Sequence, residues 1–91
     1  MTKRKLGPEA RRAFAAPIEG SKRRKVLILI AAYLDAGRPD PSISELAARA
    51  RLRRLAVVAI VDRLERDGWL GVERAPRRRN VYRLLDGRGR R

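Results

Sequence analysis

The stretch PSISELAARARLRRLAVVAIVDRLERDG, residues 41 to 68, holds two helix-forming runs only a few residues apart. Ser42 and Glu45 stand in the S-x-x-E relation of a capping box, in which each side chain satisfies a free backbone donor at a helix start. Leu46, Ala47 and Ala50 then fall on one helical face, so a short helix over about 43 to 50 is expected. After Leu52 the run RRLAVVAIVDRLERDG predicts a longer helix over about 54 to 67, with Gly68 as the residue beyond its C-terminus. At 100° per residue Val57, Ile60, Val61 and Leu64 cluster on one side of it.

Upstream, Ser21 reads as an N-cap for a helix through KRRKVLILIAAYLDAG that stops at Gly37, with Pro39 and Pro41 barring its continuation. Gly7, Pro8, Pro17 and Gly20 interrupt residues 1 to 20, although EARRAFAA at 9 to 16 can form a short helix; this segment reads as an arm, disordered in part or briefly helical. Downstream, WLGVER and NVYRLL alternate in strand fashion around the loop that carries Arg77, Arg78 and Arg79, as a two-stranded hairpin does. The expected organisation is a basic arm at 1–20, one mostly α-helical domain of three helices and a small β-hairpin at 21–85, and a basic tail at 86–91. Leu27, Ile30, Leu34, Leu46 and Leu52 are expected to meet the 54–67 stripe in the core, with Trp69, Leu70, Val72, Tyr82 and Leu84 from the hairpin. That leaves Val26, Ile28, Leu29 and Tyr33 on the long helix to be covered by the arm or by a second copy.

A chain of 91 residues accommodates one domain with a small core, and its formal net charge is +14. Self-repulsion of that order is normally tolerated where a polyanion neutralises it. The charge is uneven. Residues 1 to 25 carry nine basic side chains against Glu9 and Glu19, residues 77 to 91 carry seven against Asp86, and the middle is nearly balanced. Such runs also occur as solvated, solubilising tails, and DGRGRR at the C-terminus fits that description as well as it fits a binding role. Three arginines of one sign between two strands fit it less well, since mixed charges would keep a loop soluble equally well.

Enzyme chemistry starts at a disadvantage. The chain has no Cys and no His, which removes the thiolate nucleophile, the commonest general base and the commonest metal ligands. Its acidic residues lie beside arginines, with no paired carboxylates and no phosphate-binding glycine loop. No catalytic residue, metal or cofactor is expected. The longest apolar run, VLILIAAYL at 26 to 34, has nine residues, about half of the roughly 20 a membrane span needs. It is also too far from the N-terminus for a secretory signal. A soluble, cytoplasmic protein without membrane contact is the expectation.

As an ordered set, PSISELAARARL, VVAIVDRLERDGWL and RRRNVYRLL resemble, over roughly residues 22 to 85, the winged helix-turn-helix pattern of MarR-like regulators and of winged-helix domains in plasmid and phage replication proteins. The resemblance implies a double-stranded DNA-binding factor, a transcriptional regulator or an accessory protein of a prokaryotic nucleoid, phage or plasmid. It implies that the 54–67 helix enters the major groove while the hairpin touches the neighbouring minor groove or backbone. Arg77, Arg78, Arg79 and Asn80 then lie at the wing tip, where guanidinium groups reach phosphates or a narrow minor groove. Ser42 and the basic run Lys22, Arg23 and Arg24 complete the expected contacts.

Two departures bear on base reading. Family members commonly have a hydroxyl or amide residue capping the recognition helix, whereas Arg53, followed by Arg54, stands here, so the free helix amides are left to water or a phosphate. Opposite the core stripe lie Leu55, Val58, Ala59, Asp62 and Arg66. Leu55, Val58 and Ala59 cannot pair with base edges and at most touch thymine methyls, which leaves Arg54 as the best candidate for a base contact, to guanine. Affinity is then expected mainly from phosphates. The same apolar residues equally suit burial against a partner protein, or against the arm through Leu6, Phe14 and Ile18. A protein-interaction module with only non-specific DNA affinity, and a homodimer formed through the first predicted helix, both stay open. A single-strand binder would normally display aromatic stacking platforms, and here only Phe14 is free of the core.

Overall fold

The computed structural model describes residues 7–90. In chain order it has α1 (Pro8–Ala15), α2 (Ser21–Asp35), α3 (Ile43–Ala50), α4 (Arg54–Arg66), β1 (Leu70–Glu73) and β2 (Val81–Leu84). The three helices expected from the sequence are α2, α3 and α4; α1 is a fourth, and the architecture is mostly helical with one antiparallel hairpin.

The capping box forms in both halves. Ser42 Oγ accepts from the Glu45 amide at 3.0 Å, and the Ser42 amide donates to Glu45 Oε1 at 3.0 Å. Helix α3 ends at Arg51, whose left-handed backbone (φ 56°) turns the chain sharply toward α4. At the start of α4 the N-cap is Arg53, with no side-chain capping bond, as its lack of an acceptor requires. Ser21 is not a cap. It is the first helical residue of α2, and Gly20, at φ 95°, takes the cap position without a side-chain bond.

The core joins all the elements. Leu27, Ile30, Leu46, Val57, Val61, Leu64 and Leu70 are fully buried, and Tyr82 and Leu84 nearly so. Ile60, Leu34, Leu52, Trp69 and Val72 were also expected inside but pack at its margin, partly exposed. Val26, expected to need cover from the arm or from a second copy, is 0% exposed within the single chain. Helix α1 lies along α2, and Ala13, with Ala16 just beyond the end of α1, joins Val26 in the core cluster. Small residues at these positions let the two helices approach closely. Asp35, in the last turn of α2, fastens the pair by accepting hydrogen bonds from the Glu9 amide (3.0 Å) and the Ala10 amide (2.9 Å) of α1's first turn.

In the hairpin, Leu70 faces Leu84 and Val72 faces Tyr82. The Tyr82 amide donates outward, to the Pro39 carbonyl at 2.8 Å, and so ties β2 to the loop that leads into α3. Where β1 runs into the hairpin loop, Arg74 makes a bidentate pair with Glu65 of α4 (2.9 and 3.0 Å) and reaches Asp62 at 3.4 Å. Residues 86 to 90 are not an open tail. The amides of Gly87 and Gly89 donate to the Gly68 carbonyl, and Asp86 Oδ1 accepts from the amides of Arg88 (2.8 Å) and Arg90 (3.1 Å).

Candidate nucleic-acid interface

Three segments distant in sequence meet at one surface. The N-terminal turn of α3, the first residue of α4 and the hairpin tip line a concavity of about 230 Å³ formed by Pro41, Ser42, Ile43, Ser44, Arg54, Arg78, Arg79, Asn80 and Tyr82. Each is held there for a local reason. The capping box fixes where α3 begins. The left-handed turn at Arg51 aims α4's first residue back toward α3, and the Tyr82 to Pro39 bond brings the hairpin alongside.

The concavity is electropositive, because most of its guanidinium groups have no carboxylate to neutralise them. Of its three arginines, Arg54 and Arg78 make no ion pair among the described residues, and neither do their chain neighbours Arg53 and Arg77. Arg79 lies 3.7 Å from Glu45 Oε1, a carboxylate already committed to Arg38 at 3.0 Å. The side-chain hydrogen bond from Arg38, and next the backbone bond from Ser42, pull the Glu45 carboxyl from its ordinary 4.5 down to about 2. The start of α3 adds the partial positive charge of a helix N-terminus.

Of the expected contact residues, Ser42, Arg54, Arg78, Arg79 and Asn80 are brought together here. Arg77 sits at the exposed tip in a left-handed conformation (φ 59°). Asn80 is half-buried, and its amide nitrogen makes a long bond (3.4 Å) to the Tyr82 hydroxyl. Leu55 and Val58 lie on the open face of α4, 84% and 41% exposed. The described part of the arm does not cover them: Phe14 lies instead beside Ile28 and Leu29 of α2, and Leu6 is outside the described residues. Lys22 and Arg23 line a different surface, with Ala59, Ile60 and Arg63 of α4. Arg24 belongs to neither, since its guanidinium donates to the Phe14 carbonyl at 3.2 Å.

Sequence reasoning missed Arg38, Arg74 and Ser44. Arg38 and Arg74 lie in loops, and their acidic partners are seven and nine residues away, beyond the spacing that a helical pattern reveals. Ser44 could have been found, because it follows the capping serine into the first turn of α3.

Among the described residues, no group of His, Cys, Asp and Glu could hold a metal ion, and no helix is long and apolar enough to cross a membrane. Comparison with known protein families, with curated proteins and with solved structures found no match.

Proposed function

We propose that this chain is a winged helix-turn-helix protein that binds double-stranded DNA, as a transcriptional regulator or an accessory DNA-binding factor in the cytoplasm of a prokaryote. On this reading α4 enters the major groove, and Arg77, Arg78 and Arg79 of the wing clamp the backbone or minor groove. The observation that carries the proposal is the meeting of Ser42, Arg54, Arg78 and Arg79 at one concave surface. A phosphate placed there meets a helix N-terminus and guanidinium groups from two other elements together. No enzymatic role is part of the proposal. A second copy is its proposed protein partner, packed through Phe14, Ile28, Leu29 and Tyr33.

One observation favours a second reading, in which the domain binds a replication or transcription protein and touches DNA only non-specifically: Leu55 is 84% exposed, and such a side chain suits an apolar protein surface. Gel-shift titration against genomic fragments, with and without competitor DNA, separates the two. DNA binding as proposed gives retarded complexes whose affinity falls by roughly three to five orders of magnitude between about 50 and 200 mM salt if about six to ten phosphates are neutralised. Weak binding that any competitor abolishes favours the interaction module.

A further inference from the structure

Among the described residues, Leu55 is far more exposed than the other large apolar side chains on the surface; Phe14, at 50%, comes next. It stands beside Arg54 and one turn before Val58, on the face of α4 turned away from the core. Over two turns that face offers Arg54, Leu55, Val58 and Ala59, of which only Arg54 carries a hydrogen-bonding side chain. The next polar group along it, Asp62, is occupied by Arg74. The chain has no Gln, and its single Asn is Asn80 in the hairpin, so α4 has no amide to pair with adenine in the major groove. The apolar pair is bordered by Arg53 and Arg54, neither ion-paired among the described residues. That charge suits an apolar target set in a polyanion better than an apolar patch on a protein.

The major groove of a duplex displays one apolar group, the methyl at C5 of a pyrimidine. Resting on the duplex-binding reading above, we infer that Leu55 and Val58 read the 5-methyl groups of pyrimidines, while Arg54 supplies the polar contact beside them. Each methyl removed from water against these side chains is worth about fourfold in affinity.

The test needs no knowledge of a target site. Four duplexes of equal length are compared by gel shift: alternating dA·dT against alternating dA·dU, and alternating dG·dC against the same duplex with 5-methylcytosine. Members of each pair differ only by the methyl. With two contacts, the methylated member binds about tenfold or more tightly, and the Leu55→Ala, Val58→Ala double variant binds both members at the weaker affinity. Exposure of both side chains lets that variant fold, which its unchanged circular dichroism verifies. A gap in the first pair alone assigns the reading to thymine, in the second alone to 5-methylcytosine, and in both to either base. Equal affinity within both pairs overturns the inference and leaves duplex binding standing, as does a gap that survives in the double variant. Binding to none of the four overturns both.

Discussion

Arg38 holds Glu45 through two parallel hydrogen bonds, at 3.0 and 3.1 Å, from a loop position seven residues before it. The carboxylate that receives them also completes the capping box of α3 and lies 3.7 Å from Arg79 at the hairpin tip. One side chain therefore connects the loop before α3, the start of α3 and the hairpin.

That arrangement gives a pH dependence with a definite sign. The folded-state carboxyl of Glu45 titrates at about 2, below its ordinary 4.5, so its contribution is fully present above about 4.5 and is lost as pH falls from there through about 2. Thermal melts of the wild type should show Tm dropping across that window, and in Glu45→Gln the drop should be shallower. At neutral pH Ser42→Ala should cost about 1 kcal/mol in urea unfolding through loss of the other half of the cap.

Asp35 sits unfavourably for its own helix, at the negative end of α2, and favourably for the positive end of α1. Asp35→Ala should release α1 from α2 and destabilise the fold by about 1–2 kcal/mol, the scale of a lost N-cap. Hydrogen exchange at the Glu9 and Ala10 amides reads this directly: both should be protected in the wild type and exchange freely in the variant.

Gly87 and Gly89 both have positive φ, 88° and 78°, but only Gly87 lies against a side chain, with the Trp69 indole 2.7 Å from where a Cβ would be. Gly87→Ala therefore meets strain and a clash, and should destabilise by more than about 1 kcal/mol and shift the Trp69 fluorescence. Gly89→Ala meets strain alone and should cost less, with little change in emission.

Reading and clamping should separate by mutation. Arg54→Ala is expected to reduce preference between DNA sequences. Replacing Arg77, Arg78 and Arg79 together with Ala should weaken all duplexes about equally and flatten the salt slope by up to about three units. Normal binding by the triple variant would remove the wing from the proposed interface.

The proposed homodimer is tested at the apolar surface left on α2. If two copies pair through Ile28, Leu29 and Tyr33, light scattering should report a dimer for the wild type and a folded monomer for Ile28→Glu with Leu29→Glu, whose charges would be desolvated without partners. A wild-type chain that scatters as a monomer excludes the homodimer.

Local chemistry made the α3, α4 and hairpin region readable. The Ser42 and Glu45 box, the stripe of Val57, Val61 and Leu64, and the turn at Gly68 are each complete within a few residues of sequence. Cover of α2 by the arm is one of two alternatives the sequence leaves open, but the tie that holds α1 is not legible, because Asp35 lies more than twenty residues from the amides it accepts from and looks like an ordinary last-turn residue of α2. What covers Val26 stays open in the sequence for a related reason: α2 is apolar nearly all round, so its pattern does not say which side faces what. The fold-back of residues 86 to 90 depends on Asp86 accepting from amides two and four residues on, a turn preference that the high charge of DGRGRR obscured. The concave surface itself could not be read from spacing, since Arg54 and Arg78 meet only once the hairpin folds beside α3.

A two-stranded sheet exposes two unpaired edges, each a template on which a foreign strand can add. The bond from the Tyr82 amide to the Pro39 carbonyl closes the middle of the β2 edge with a residue that accepts but has no backbone N–H to donate in return. Pairing here therefore stops after one bond, and the loop does not become a third strand. Pro39 thus limits how far this loop pairs with β2: Pro39→Ala supplies an N–H on the side that faces β2, and hydrogen exchange at the Tyr82 amide should slow if that group closes the second bond.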